Sequence, residues 1–560
     1  MRRGVSVVNK KVCSFPILFA LLTLLIGTCA VVFPASAQAA PTATGSITVS
    51  GTVASSYDAY QIFSANVVDG DSDAKIATDL AWASDAVRDA ALPVLHSAGM
   101  PNSQTTAQEA AEWLNADSHL TSALSAQLAR SLQSSGAEPV ALNAGTAAEL
   151  SCGYWLIVAD DDAIAQNEAG TAPIMALVGG SAVTVKPKAA TPKVAKHVLE
   201  DSTAAWQKAA DATVADDLYW RLSATVPAGL TAYDTYTVRF VDTMSAGLDP
   251  SKVAASMRVY AAAGADGGFD AVSCEGGNAN STPAKGWTDI TSQCKVSVDG
   301  NAFTVRTGDL IAALGGADAF TAGARVVAVY NAPLNSACNH GIAKGNPNEV
   351  YLRYPRSPFA DQSGNAGFTR TPSDDACAYT WDLALTKRGS DGDKPLAGAV
   401  LSITDDRGRT LAADGTWDAG GKATVTTGED GRVTVSGVDS GKLEVRELKA
   451  PKGYTAFEGT RSVTVKAEGL DVDQVAAAKP KLTIAAESPL RADSADGSTG
   501  SLEASIINTP TGTPPSITTG GFMPLTGDMA MYAVAAAAVA GAALIVVALL
   551  IKRGGGSHKE

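Results

Sequence analysis

The sequence predicts a mainly β, extracellular protein built from tandem antiparallel β-sandwich modules. Three observations carry this. Gly, Ala, Ser, Thr and Val dominate a chain of 560 residues in which aromatics are only 6%, a composition that suits small β modules better than a helical enzyme. Short alternating runs such as Tyr236 to Phe240 and Arg325 to Tyr330 have the two-residue period of half-buried strands. An apolar leader at one end and an apolar run at the other bracket everything between them.

Residues 1–40 are a secretory signal. Arg2, Arg3, Lys10 and Lys11 give the positive start, Phe15 to Val32 the apolar region, and Ala35-Ser36-Ala37 or Ala37-Gln38-Ala39 a small-residue cleavage site. At the other end, Met529 to Ile551 is uncharged and long enough to span a bilayer as a transmembrane helix, followed by Lys552-Arg553. Net charge is −14, which argues against nucleic acid or an anionic membrane as partner. The histidines, His96, His119, His197, His340 and His558, have no metal or triad spacing, so no metal and no cofactor is expected.

Cys13 and Cys29 fall in the leader. Exported chains keep disulfides. Cys274, Cys294, Cys338 and Cys377 allow three connectivities; Cys274–Cys294 with Cys338–Cys377 closes two local loops and is the expected pairing. Cys152 is expected to be a buried free thiol. No Cys-x-x-Cys spacing points to zinc.

Residues 41–188 form the first domain. Strand-like text opens it (Gly45 to Val49, Tyr57 to Phe63) and closes it (Gly153 to Val158, Ile174 to Val178), and Ala107 to Leu132 has helical spacing. This predicts a sandwich with helical insertions. Asp69-Gly70-Asp71-Ser72-Asp73 lacks the terminal Glu of a calcium loop, Leu80 standing there, and reads as a solvated turn, like Asp160-Asp161-Asp162. Residues 189–378 are the middle domain and 379–509 the third. Residues 510–522, rich in Pro, Thr and Gly, are a spacer, and 523–560 complete the chain.

Met523-Pro524-Leu525-Thr526-Gly527, the apolar span and the basic tail together resemble the LPXTG sorting signal of Gram-positive surface proteins, with Met523 for the usual Leu. Val183-Thr184-Val185-Lys186-Pro187-Lys188 resembles the pilin motif of the family's major, or backbone, pilins, with Lys188 matching the motif lysine and Lys186 a neighbour. Val241-Asp242-Thr243-Met244-Ser245-Ala246-Gly247-Leu248 looks like that family's Asp-Thr-x-x-x-Gly-Leu element. Leu383 to Lys387, Gly441 to Tyr454 and Ala504 to Thr509 look like a CnaB-type domain, with Glu447 at the E-box position.

The resemblance implies immunoglobulin-like, Cna-type sandwiches and a structural subunit of a covalent surface pilus that supports adhesion. A sortase would cut after Thr526 and pass its acyl group to Lys188 of the next copy, giving a head-to-tail polymer. Sortase, further copies of the chain, peptidoglycan, tip or minor pilins and an unnamed host ligand are the implied partners. The chain is then sortase substrate, not enzyme. A monomeric wall-anchored adhesin is the alternative, and it would need no Lys188.

The same resemblance implies internal Lys–Asn isopeptides. The chemistry needs a neutral Lys nucleophile, an amide carbon within reach and a proton carrier. Lys387 shares a strand face with Leu383 and Leu385, and Asn508 with Ile506; on a core face both are costly unless paired. Glu447 would carry the protons. In the middle domain Lys196 and Asp242 match, but Pro355-Arg356-Ser357-Pro358 stands where the family places its accepting Asn. Asn348 is the remaining partner, and this domain is expected to be the weaker for cross-linking.

Overall fold

The computed structural model describes residues 43–512, apart from 52, 72–73, 117–118, 171, 188–190, 272–273, 276–277 and 280–282. The leader, Lys188, the sorting motif and the apolar C-terminal run lie outside the described residues. Among the described residues no helix is long and apolar enough to cross a membrane. The fold is mainly β, a tandem array of paired sheets.

In the first domain the long strand Ser56–Asp69 and strand Gly153–Ala159 lie at the centre of a five-stranded sheet. One of its faces, with Tyr57, Ala59, Trp155 and Ile157, closes on a three-stranded sheet through Ile47, Val49, Leu150 and Val185. The other face, with Tyr60, Phe63, Leu156 and Val158, is covered by helices. The alternation along each strand is what allows both faces to be buried.

There are three such helices: Asp85–Ser97, Ala107–Asn115 and Ser122–Ser134. The helical spacing from Ala107 to Leu132 is therefore two helices. Thr121 divides them, because its side chain accepts from the Leu124 amide and starts a new helix. Thr106 and Glu109 form a reciprocal capping box at the preceding start. Asp85–Ser97 carries Pro93 in its interior, a residue that argues against a helix when only sequence is read.

The middle domain packs a six-stranded sheet on a seven-stranded one. The third packs a five-stranded sheet on another of seven strands. In the third domain the first strand, Trp381–Gly389, runs parallel to the last, Ser501–Pro510, at its side.

The expected disulfides are corrected. Cys294, Cys338 and Cys377 each carry a free thiol; the side chain of Cys274 lies outside the described residues. Cys294 turns its sulfur to the Ile290 carbonyl, and burial pushes its thiol up to about 11. Cys338 and Cys377 belong to different cores. On strand Asp374–Tyr379, Ala376 and Ala378 face the middle-domain core that holds Cys338, while Cys377 and Tyr379 face the core of the third. Asn346 stands between them, donating to the Asn339 and Ala378 carbonyls. Cys152 is buried and free, as expected.

Two buried lysine, carboxyl and asparagine clusters

In the third domain Lys387 and Asn508 sit on neighbouring parallel strands, with Lys387 opposite Ile506 and Gly389 opposite Asn508. Glu447 comes from strand Gly441–Lys449 of the facing sheet. Asn508 Nδ2 donates to Glu447 Oε1 at 2.8 Å, and Lys387 Nζ lies 3.6 Å from the same oxygen. The Phe457 amide donates to Glu447 Oε2 at 3.0 Å and fixes the carboxyl. Lys387 is fully buried, and burial brings its ammonium down to about 8, with Glu447 pulling the other way.

The middle domain holds a second cluster of the same composition. Lys196 lies on strand Lys193–Glu200 of the six-stranded sheet, opposite Leu222. Asp242 and Asn348 lie on adjacent strands of the seven-stranded sheet, Asp242 opposite Val350 and Asn348 opposite Met244. Lys196 Nζ donates to Asp242 Oδ2 and, at 2.9 Å, to the Tyr330 hydroxyl. Asn348 Nδ2 donates to that hydroxyl at 2.8 Å, and the hydroxyl donates to Asp242 Oδ2 at 3.1 Å. All these side chains are fully buried. Burial brings Lys196 down to about 8, opposed by Asp242, and pushes the Asp242 carboxyl up, opposed by Lys196.

Both clusters have one more feature in common. The amide oxygens Asn348 Oδ1 and Asn508 Oδ1 are buried with no hydrogen-bond partner, as is Asp242 Oδ1. An orphaned buried acceptor costs about 1–3 kcal/mol. A lysine poised to lose its proton, a carboxyl bonded to the amine or the amide, and an unpaired carbonyl form a set suited to amide exchange. Nζ would attack Cγ, the carboxyl would move the proton, and ammonia would leave.

The structure brings Lys387, Glu447 and Asn508 together, and equally Lys196, Asp242 and Asn348. The expectation of a weaker middle domain rests on Arg356 and Ser357 standing at the usual acceptor position. Arg356 instead donates to the Asp161 carbonyl of the first domain, and Ser357 is buried beside Gly170. A signal for Asn348 was present: Asn346, Asn348, Val350, Leu352 and Tyr354 alternate onto the inward face. Tyr330 was not foreseen, because an inward tyrosine on a strand looks like any core aromatic. Near the pilin-like motif, Val183–Val185 pairs in parallel with the first strand, Pro187 is buried and Lys186 is exposed.

Residues 382–479 match the family model described as SpaA: Prealbumin-like fold domain. The chain is 29% identical over 143 residues to the trypsin-resistant surface T6 protein of Streptococcus pyogenes serotype M6, a match that covers 24% of each. The matched segment thus spans about a quarter of that relative. Among solved structures, the T6 backbone pilin of serotype M6 S. pyogenes aligns with a TM-score of 0.45 at 17% identity, over 84% of this chain and 98% of that one. The major pilin SpaD of Corynebacterium diphtheriae aligns with a TM-score of 0.40 at 15% identity, over 83% and 98%.

Proposed function

We propose that this chain is the shaft subunit of a covalent surface pilus, joined by sortase through Thr526 of one copy and Lys188 of the next. Each copy is locked internally by Lys387–Asn508 and Lys196–Asn348 isopeptides. The single observation that supports this most is the pair of buried lysine, carboxyl and asparagine clusters. Three polar groups with no route to solvent are expensive in a small sandwich core. Condensation removes that cost by turning an ammonium and an amide into one neutral amide. A shaft under tension has a mechanical reason to do so, since a bond between strands far apart in the chain stops them from being pulled apart. Export, wall attachment through the sorting motif and the linkage to peptidoglycan belong to the same reading.

Glu447→Ala is expected to leave the third domain folded and uncross-linked, because the proton carrier is lost while the apolar core is kept. Peptide mapping checks it. A Lys387–Asn508 branched peptide persisting in the variant would remove Glu447 from the chemistry.

An Asn508→Ala chain keeps Lys387 unreacted and should show it in its pH dependence. The folded chain holds this ammonium at about 8 against an ordinary 10.5, so the unfolded chain binds the proton more tightly between those values. Stability therefore rises with pH across that window, and the penalty is complete below it. The melting temperature of Asn508→Ala should climb from pH 8 to 10.5. The climb should be smaller once Lys387→Met is added. Equal slopes in the two variants would mean that Lys387 is not the titrating group.

A further inference from the structure

The outer face of the seven-stranded sheet in the middle domain carries a row of cations, whose middle member, Arg239, is buried beneath residues 362–365. Lys295 stands opposite Arg306, Arg306 opposite Arg239, Arg239 opposite Arg353, and Arg353 opposite Arg370. Their neighbours Val305, Phe240 and Leu352 point into the core, so the row lies on the other side. At about 4.8 Å per strand it runs for about 19 Å across the sheet. Like charges directly opposite one another destabilise a sheet, and this chain has acidic residues in excess, 57 against 43 basic ones.

The cost is offset within the molecule only by neutral groups. Among the described residues none of these cations is ion-paired. Arg239 is buried on the Phe368 ring and donates only to neutral oxygens of Gln362, Gly364 and Asn365. Arg306 donates to the Gln362 carbonyl. Arg353 and Arg370 flank the Tyr351 ring. Of the carboxylates nearby, Asp361 accepts from the Ser363 amide and hydroxyl, and Asp162, at the cavity, lies 4.0 Å from Arg356 with its side chain exposed. At one end of the row a cavity of about 310 Å³ opens between the first and middle domains, walled by Arg353, Arg356 and Arg370 with Gln166 and Thr369.

We propose that the open end of this row, Arg353 and Arg370 with the arginine-walled cavity beside them, is a binding site for an acidic polysaccharide carrying sulfate or uronate groups. Guanidinium forks take sulfate or carboxylate in two-point contacts, and the amide and hydroxyl of Gln166 and Thr369 suit sugar hydroxyls. A single-stranded nucleic acid would need free aromatic faces, whereas the Tyr351 and Phe368 rings are already covered by arginines. A peptide strand would add to a sheet edge through backbone hydrogen bonds, whereas these cations stand on the face of the sheet. The surface does not depend on polymerisation.

The test uses the purified full chain and heparin as probe, followed by calorimetry over a salt series. Binding should weaken steadily as salt rises, in the manner of counterion release. Arg353→Gln with Arg370→Gln should weaken it by roughly tenfold or more, and flatten the salt dependence. Lys442→Gln with Lys466→Gln, on the third domain, should leave it unchanged. If the arginine pair fails to fold, Arg370→Gln alone replaces it, since that side chain is exposed and stacks on the Tyr351 ring. No heparin binding at low salt, or equal binding by the arginine variant, overturns the proposal. So does equally tight binding of polyglutamate or single-stranded DNA with the same sensitivity to the arginines.

Discussion

Lys188→Ala is expected to abolish the high-mass ladder in wall extracts and to leave single subunits attached to the wall. The expectation follows from two separate sites. In the proposed assembly Thr526 would supply the acyl group, and its sorting motif is untouched by the change. Lys188 would supply the amine that admits the next subunit. Without it the thioester would still be open to the amine of a wall precursor, so monomers would reach the wall. Pro187 biases the residue before it towards an extended backbone, and Val183–Val185 is held as a strand against Thr44–Val49. An immunoblot of wall fractions from cells making only the variant decides the matter. An unchanged ladder would move the acceptor to another amine, the exposed Lys186 first. Loss of ladder and monomer together would tie Lys188 to folding instead.

How much of this was legible beforehand depended on whether a signal is local. The third-domain cluster was, because Leu383, Leu385 and Lys387 share one face and Ile506 and Asn508 share another, and alternation reports a face directly. The middle cluster was half legible. Lys196 and Asp242 lie in recognisable strings, but Asn348 is placed by the register of strand Asn346–Pro355 against Arg239–Met244, and register between distant strands is a tertiary property. The Cys338–Cys377 pairing is not formed for a related reason. Short separation favours loop closure, yet Cys338 and Cys377 are directed into different cores by the pleat of one shared strand. The cation row was invisible in the sequence, where Arg239, Arg306, Arg353 and Arg370 are scattered and net charge has the opposite sign. The sheet assembles it.

Asn348→Ala should leave the middle domain folded but lacking its cross-link, with a large loss of thermal stability. The choice of Asn348 over its partners is deliberate. Removing Asp242 would strand Lys196 as a buried cation without a counter-charge, a change expected to cost about 3–5 kcal/mol by itself. Removing Lys196 would strand Asp242 in the same way. Asn348→Ala keeps the Lys196–Asp242 pair and the Tyr330 hydroxyl on both of them, and deletes an amide whose oxygen has no partner. What is lost is chiefly the covalent tie between the two sheets. Taking the entropic estimate for a disulfide that closes a loop of such length, the bond is worth about 5 kcal/mol. For a domain of this size that corresponds to a fall in melting temperature of about 10–20 °C. Intact mass gives the independent reading. Each condensation releases one ammonia, roughly 17 Da, so the parent chain should be lighter than its sequence mass by two such losses and the variant by one. A parent chain lacking only one ammonia would leave the middle cluster an unreacted ion pair. A Lys196 branched peptide surviving in Asn348→Ala would place the acceptor elsewhere.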